Sequence, residues 1–434
     1  MQAELLRNPP YKHFQVELSK RYEPIDMYVV GSLSASLEAN QRALGLFTAQ
    51  QFKYTIDEAS RKGKYVLCDM PTGSTPKPTW EALREMIDKN EIDLERVIWV
   101  GHEAELPPQE HPPLGYETQR IEILQKLGIN IQRIINEHAA KLETIEGNYL
   151  AMHSFKPGDE INIDEANRCA AEYDRLLATL LNRRDIVSFG MYGVGGDGHG
   201  FGEFQRKHMW PEEWEKTQDT FLTPLSDYSY RHGFWPIFDE HNIPMADNAL
   251  GEDENRKKFP DVQLLMGMGR NTLARLDNSI HVFNSSSKAQ AFEQTLKALG
   301  GQIRSETGIT FPNPTGPACG ETMLTDFKTL AEKWQQEEKI RSDCGFAEKE
   351  TCFTVVQEIL KSLNQSLSKE EYFELWHLFS QYFGDQTPVS MMLMERAQRG
   401  KKNVIVVTAD VAKNTGLVER YGLDPKRPYS TISL

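Results

Sequence analysis

The residues best suited to chemistry lie in one glycine-rich loop, in the stretch FGMYGVGGDGHGFGEF that runs from Phe189 to Phe204. Asp197, His199 and Glu203 fall within seven residues there, after a short apolar run that predicts a buried strand. An imidazole titrates near neutral pH, and carboxylates beside it orient the ring or stabilise its cation. The loop therefore favours proton transfer, although a solvated acidic turn has the same composition.

The segment GVGGDG in this loop also fits the dinucleotide fingerprint GxGxxG. That fingerprint opens a helix directly, because the helix N-terminus holds the pyrophosphate. Here HGFGEF follows instead, with two more glycines, and a histidine and charged groups crowd the place of the pyrophosphate. We therefore reject a dinucleotide site.

A candidate anion site follows the predicted strand YVLCDM. The turn made by Thr72, Gly73, Ser74 and Thr75 leads into a predicted helix, so hydroxyls and free backbone N–H groups gather at one point. Glycine lets the backbone approach a ligand closely, and the helix dipole favours negative charge. The turn predicts phosphate binding, and an ordinary strand-to-helix turn with a Ser/Thr cap remains the alternative.

Three further groups belong with these two candidates. The predicted strand VIWV ends at His102 and Glu103, and parallel strands deliver the residues after their carboxyl ends to one edge of a sheet. Lys288 stands at a serine-rich helix start and Arg231 in an aromatic and charged stretch, so both are candidate anion contacts. A surface lysine and a surface arginine are the alternatives for the last two.

Composition limits the class of protein and its partners. The chain has 434 residues, a formal net charge of −14 and no clusters of Lys and Arg, which argues against nucleic-acid binding. Its five cysteines are scattered and form no CxxC, so we expect neither a zinc site nor a disulfide framework, but a reducing, cytoplasmic location. No apolar run approaches the roughly 20 residues that span a bilayer, and the first residues lack the layout of a signal peptide.

Hydrophobic periodicity predicts an alternation of strands and helices after a polar, proline-bearing arm over residues 1–26. One of the predicted helices runs from Gln119 to Glu146. Helices predominate again over 301–386, where Tyr372 to Phe383 is rich in aromatic residues that fit either a core or a homo-oligomer contact.

The order of three motifs resembles the superfamily of glucosamine-6-phosphate deaminases/isomerases and 6-phosphogluconolactonases. The motifs are MPTGSTP, GVGGDGH and SSSKA, each after a predicted strand. The resemblance covers about residues 27–300 and resumes at 387–417, so 301–386 becomes a helical insertion and 387–434 a return to the α/β domain followed by a tail. It implies a doubly wound, mostly parallel, Rossmann-like α/β fold.

The same resemblance assigns roles to single residues. It implies that the turn from Thr72 to Thr75, with Lys288 and more loosely Arg231, binds the phosphate. Asp197 and His199 match the Asp-Gly-His motif, whose histidine serves sugar-ring opening in deaminases.

Other positions depart from the family pattern. Glu203 matches the motif's glutamate only with one residue deleted. Aligning Glu110-His111-Pro112 with the family's Glu-His-Pro places His102 where deaminases carry the aspartate that moves the C2 proton, with Glu103 following it. A histidine can shuttle that proton near pH 7. The lactonases' Ser-Leu-Phe-Pro after the Asp-Gly-His motif is missing.

The sequence thus predicts an enzyme that opens a phosphorylated aldose or amino sugar, such as glucosamine 6-phosphate, and moves a proton between adjacent carbons. No metal or organic cofactor is expected, and the partner is a small-molecule sugar phosphate. Two alternatives stay open: a 6-phosphogluconolactonase-like hydrolase, and a non-catalytic regulator that binds a sugar phosphate.

Overall fold

A computed structural model gives the fold. It describes residues 11–18, 22–72, 75–108, 116–135, 147–194, 218–224, 264–299, 302–305, 310–311 and 388–417.

Eleven of the described strands form one mixed sheet, and three form a smaller one. The large sheet has the order β13-β12-β1-β2-β14-β11-β8-β3-β4-β7-β6, and the small one β5-β10-β9. The strands are, in chain order, β1 (Tyr11–Glu17), β2 (Ile25–Val30), β3 (Tyr65–Asp69), β4 (Val97–Val100), β5 (Glu103–Leu106), β6 (Gln132–Ile134), β7 (Asn148–Leu150), β8 (Ile186–Gly193), β9 (Phe221–Pro224), β10 (Leu264–Gly267), β11 (Asn278–Phe283), β12 (Gln302–Ser305), β13 (Thr310–Phe311) and β14 (Lys402–Thr408).

Helices cover both faces of the large sheet. They are, in chain order, α1 (Leu37–Arg61), α2 (Lys77–Asp88), α3 (Tyr116–Lys126), α4 (Ile163–Leu181), α5 (Arg270–Leu273), α6 (Ala289–Leu299), α7 (Pro388–Gln398) and α8 (Ala409–Asn414). Apolar residues of α1, α2 and α3 belong to one core cluster, and those of α4, α6 and α7 to the other. Alternate residues of β3 enter the two clusters, Val66 one and Leu67 the other, as expected for a strand buried on both faces.

Every neighbouring pair from β2 to β6 in the large sheet is parallel, while β1, β12 and β13 extend it in antiparallel fashion. The predicted doubly wound, mostly parallel α/β sheet is therefore confirmed. The chain builds outward from β3 to β4 in one direction and from β8 to β11 and β14 in the other, so β3 and β8 flank the point where the strand order reverses. In open α/β sheets ligands bind outside the carboxyl ends of the strands at such a point.

The structure differs from the sequence interpretation at two helical or irregular stretches. Residues 11–17, assigned to a surface arm, form β1. Phe14 and Val16 pack in one core cluster and Tyr11 in the other, as expected for a strand that is covered on both faces. The helix predicted to run to Glu146 ends at Lys126, and β6 follows it. Gly128 has φ +80° there and Ile129 N–H bonds to the Leu124 carbonyl, which is a Schellman ending.

The described residues at the start of the predicted insertion form two strands at the sheet edge. These are β12 (302–305) and β13 (310–311). The rest of the stretch 301–386, including the predicted helix from Tyr372 to Phe383, lies outside the described residues. Among the helices that the structure does describe, none is long and apolar enough to cross a membrane.

Candidate active site

The carboxyl ends of β3, β4 and β8 meet at the switch point because the strands pair in register. Asp69, the last residue of β3, lies opposite Val100 of β4 on one side and Gly190 of β8 on the other. Residues just past these strand ends, such as His102, are thereby brought to the side of the β3 end. The segments that carry the sequence motifs therefore begin at one place on the sheet edge.

The turn after β3 contacts the segment after β11. Nζ of Lys288 donates a hydrogen bond to Oγ1 of Thr75 over 2.7 Å. The end of β8 packs on the same turn, since a Cβ added to Gly193 would lie 2.7 Å from Cβ of Thr75. The turn predicted to hold phosphate thus has one lysine on it and the start of the GVGGDGH loop against it.

The other end of that turn contacts the segment after β4. Oγ1 of Thr72 lies 3.5 Å from Oε1 of Glu103, the limit of a hydrogen bond. Glu103 is the first residue of β5 and is 4% exposed. Only two residues of sequence therefore separate the threonine that is bonded to Lys288 from the threonine beside the Glu103 carboxylate.

His102 is held between two carboxylates. Its Nδ1 lies 3.0 Å from Oδ1 of Asp69, and its Nε2 lies 3.7 Å from Oε1 of Glu103. The first distance is a hydrogen bond and the second is slightly too long for one. His102 is 4% exposed and Asp69 is 0% exposed, so solvent hardly screens the pair.

These charges set the protonation of His102. Burial alone lowers the pKa of the imidazole, but the charge and hydrogen bond of Asp69, together with the charge of Glu103, outweigh burial and the repulsion of Arg120. The pKa of His102 is therefore raised above its usual value near 6.5. These surroundings therefore favour the imidazolium form of His102 more than water does.

Arg120 of α3 donates hydrogen bonds to the segment after β3 and to the segment after β4. Its Nη1 donates to the Glu103 carbonyl over 2.7 Å, and its Nε donates to the Met70 carbonyl over 3.1 Å. The side chain is fully buried and fills the space of an absent side chain at Gly101, where a Cβ would lie 2.6 Å from Nη1. Arg120 thus fixes the spacing between the β3 turn and the His102 segment.

Two tyrosines complete the surroundings of Asp69. The Tyr192 hydroxyl lies beside the carboxylate, in the space left by Gly190, where a Cβ would meet it at 2.4 Å. Tyr173 of α4 donates to the Gly101 carbonyl over 2.6 Å. Burial first, and then the charge of Asp69, raises the pKa of both phenols well above the usual value, so both keep their protons.

Sequence reasoning missed Asp69, Arg120, Tyr173 and Tyr192. Asp69 is the last residue of a strand-like run, and a single acid at a strand end does not mark a site. Arg120 lies in an amphipathic helix, where an arginine usually faces solvent. The pairing of β3, β4 and β8 brings these residues together, and this pairing can be read from the structure but not from the sequence.

The structure brings together Thr72, Thr75, His102, Glu103 and Lys288. The remaining predicted site residues lie outside the described residues: Gly73, Ser74, Asp197, His199, Glu203 and Arg231. The described residues contain no group of three or more His, Cys, Asp and Glu side chains arranged to hold a metal ion.

No protein-family model matches the sequence, and no curated protein matches it. The fold is similar to that of several solved structures. One is a monomeric glucosamine-6-phosphate deaminase, described as a missing link of the NagB superfamily, with TM-score 0.41 and 12% identity over 86% of this chain and 96% of that chain.

Two other similar structures are 6-phosphogluconolactonases. The enzyme from Trypanosoma brucei has TM-score 0.41 and 12% identity over 91% of this chain and 99% of that chain. The enzyme from Plasmodium vivax has TM-score 0.39 and 12% identity over 91% and 94%. Similarity at this level concerns the fold alone and assigns no activity to this chain.

Proposed function

We propose that this protein is a sugar-phosphate enzyme of the isomerase/deaminase type. It would open a phosphorylated aldose or amino sugar and move a proton between adjacent carbons. One observation carries this proposal: the turn from Thr72 to Thr75 contacts Lys288 at one end and Glu103, beside His102, at the other. An anion-binding group and an acid/base group thus flank one turn, as a small phosphorylated substrate requires.

The phosphate would lie at the Thr75 end. Lys288 supplies a positive charge, and Thr75 supplies a hydroxyl that already accepts from it. The turn precedes α2, and the N-terminus of a helix favours an anion through the helix dipole. Gly73, Ser74 and Arg231 are proposed as further phosphate contacts on the basis of the sequence motif.

The carbon chemistry would belong to His102. In its neutral form Nε2 accepts the proton from C2, the C2–H electron pair forms the double bond of an enediol, and the carbonyl oxygen at C1 takes up a proton. The proton then returns from Nε2 to C1 as the C2 hydroxyl gives up its proton and the carbonyl forms at C2, and the proton lost at O2 balances the one gained at O1. Glu103, 3.7 Å from Nε2, is placed to stabilise the imidazolium between the two steps.

Ring opening would belong to the GVGGDGH loop. His199 would act on the ring oxygen, with Asp197 and Glu203 orienting it. These roles come from the motif alone. Because the steps are proton transfers, the mechanism uses no metal or organic cofactor, and the composition fits a cytoplasmic enzyme.

The test is to assay the purified protein in deuterated water against hexose, pentose and amino-sugar phosphates, with His102→Ala and His199→Ala as variants. We expect turnover with deuterium incorporation at C2, and a loss of about 100-fold or more in each variant. His13→Gln is the matched control, because His13 also pairs with an aspartate, Asp26, but on β1, in the antiparallel part of the sheet. Turnover that survives both substitutions would remove the mechanism.

The two alternatives give different results in the same assay. A lactonase would release acid from a sugar-phosphate lactone without exchanging deuterium into C2. A non-catalytic regulator would show thermal stabilisation by sugar phosphates with no turnover.

A further inference from the structure

Asp69 stands apart from the other acids near the sheet edge because it is fully buried and faces the proposed acid/base group. Its exposed fraction is 0%, and its Oδ1 lies at hydrogen-bond distance, 3.0 Å, from Nδ1 of His102. Burying a carboxylate is costly unless it is paired, so this contact is strongly fixed. The mechanism proposed above uses the other nitrogen of the ring.

Neighbouring residues restrict the position of the Asp69 carboxylate. Gly190 lies opposite Asp69 in the β3–β8 register, and its missing side chain leaves room for the Tyr192 hydroxyl. The Tyr192 ring also lies edge-on to His102, with ring centroids 6.0 Å apart. Tyr192 keeps its proton, so a neutral phenol and not a second anion faces the Asp69 carboxylate.

The groups that face His102 come from five elements. Asp69 comes from β3, Glu103 from β5, Arg120 from α3 and Tyr192 from β8, while Tyr173 of α4 holds the Gly101 carbonyl next to the ring. Of these, only Asp69 makes a hydrogen bond to the ring at ordinary length. A carboxylate on one ring nitrogen selects the tautomer that bears its proton there.

We propose that Asp69 is a positioning residue that holds His102 as the Nδ1–H tautomer, so that Nε2 is the nitrogen that transfers protons. The catalytic role of Asp69 rests on the proposed function, but the tautomer of His102 can be tested without it. A nucleophile or base oriented by a third group recurs in many active sites, and an amide in place of the orienting carboxylate leaves the geometry intact while favouring the wrong tautomer. Asp69 would act in this way on a carbon acid/base.

The first test uses the wild-type protein with ¹⁵N-labelled histidine and no substrate. Long-range ¹H–¹⁵N spectra across pH report which ring nitrogen carries the proton, and His102→Gln assigns the signals. We expect the neutral ring of His102 to be protonated at Nδ1 and unprotonated at Nε2. A neutral ring protonated at Nε2 would overturn the proposal, whatever the activity of the protein.

The second test compares Asp69→Asn with the wild type. We expect the His102 titration to move to lower pH and the Nδ1–H tautomer to lose its preference, and kcat/KM to fall about 100-fold. Ser188→Ala is the matched control, because Ser188 is equally buried on β8 but bonds to Asp277 at the other end of the strand. It should leave the His102 spectrum unchanged.

The outcomes separate the two proposals. A folded Asp69→Asn protein with an unchanged tautomer and titration would overturn the role of Asp69 even if the enzyme is active. A shifted tautomer in a protein that turns over no sugar phosphate would leave the role of Asp69 standing and remove the proposed function. If Asp69→Asn does not fold, the wild-type spectrum still decides.

Discussion

Lys288 donates a hydrogen bond from Nζ to Oγ1 of Thr75 over 2.7 Å, although 213 positions separate the two residues along the chain. The contact joins the short 3₁₀ turn after β11, Ser286–Lys288, to the turn after β3. Since β11 and β3 lie on either side of β8, the lysine reaches across the end of β8. Gly193 at that end has no side chain to obstruct it.

Lys288→Ala should weaken phosphate binding. Hydrogen bonds to charged groups contribute about 1.5–3 kcal/mol, so the dissociation constant for inorganic phosphate should rise roughly ten- to hundred-fold. Isothermal titration with phosphate measures it. Lys62→Ala is the control, because Lys62 is exposed at the end of α1 and bonds to Glu58. Equal affinities of the two variants would argue against a phosphate site at Thr75.

Arg120→Lys should destabilise the protein although the charge is kept. The guanidinium bonds two backbone carbonyls from different strand ends, those of Met70 and Glu103, and a single ammonium cannot reproduce that fork. A buried carbonyl left unpaired costs about 1–3 kcal/mol, and we expect a loss in that range from urea unfolding.

Arg84→Lys is the matched control for Arg120. Arg84 also bonds a backbone carbonyl, that of Lys126, but the contact is exposed. Exposed substitutions usually change the free energy of unfolding by less than about 0.5 kcal/mol. A comparable loss for both variants would mean that Arg120 does not join the strand ends in the way the contacts indicate.

Gly190→Ala should be destabilising because of Tyr192. The added Cβ would lie 2.4 Å from the Tyr192 hydroxyl and 2.7 Å from Cζ, closer than real contacts allow. Overpacking of this kind costs about 1–3 kcal/mol. In the Tyr192→Phe background the nearest atom is gone, so the cost of Gly190→Ala should be smaller. A double-mutant cycle in urea measures the coupling, and identical costs in the two backgrounds would contradict it.

Local sequence patterns were sufficient for the central strands and several helices. VIWV was predicted as a strand, and β4 has those bounds, because a run of four apolar residues between polar turns is typical of a strand buried on both faces and short for a helix. The helix predicted to follow the serine-rich segment at Lys288 is likewise observed, over Ala289–Leu299. Such patterns lie within a few consecutive residues, so a single sequence is enough to recognise them.

Other features depend on partners that are distant along the chain. β1 becomes a strand by pairing with β2 and β12, so its short polar sequence did not separate it from an irregular arm. Asp69 and His102 are 33 positions apart and meet only because β3 and β4 run side by side. Long-range register of this kind is not encoded in the residue types at either position.

The candidate site was therefore predictable by its motifs but not by its buried supports. Thr75 and Lys288 carry recognisable chemistry at strand ends, and the structure brings them into contact. Arg120 carries no local signal, because its function is to bond backbone carbonyls. Gly101 and Gly190 are ordinary glycines in sequence, and their role is to leave room for other side chains.

His153, just past the end of β7, should make the protein less stable as the pH falls below neutrality. The side chain is 0% exposed, and burial lowers its pKa to about 4, with the opposing charge of Glu117 outweighed by burial, Arg133 and Arg120. The unfolded state keeps a pKa near 6.5, so between about pH 6.5 and 4 it binds more protons than the folded state. Stability is therefore lost as the pH falls through this window, by about 2 kcal/mol between pH 7 and pH 5.

The measurement is the free energy of unfolding in urea from pH 8 to pH 5, for the wild type and His153→Gln. The variant lacks the titrating group, so its stability should fall less by about 2 kcal/mol over the acidic range, whatever constant difference the substitution introduces. Between about pH 7.5 and 8, where His153 is neutral in both states, the two profiles should run parallel. Parallel profiles down to pH 5 would show that His153 gains a proton in the folded protein, and that its buried surroundings accommodate an imidazolium.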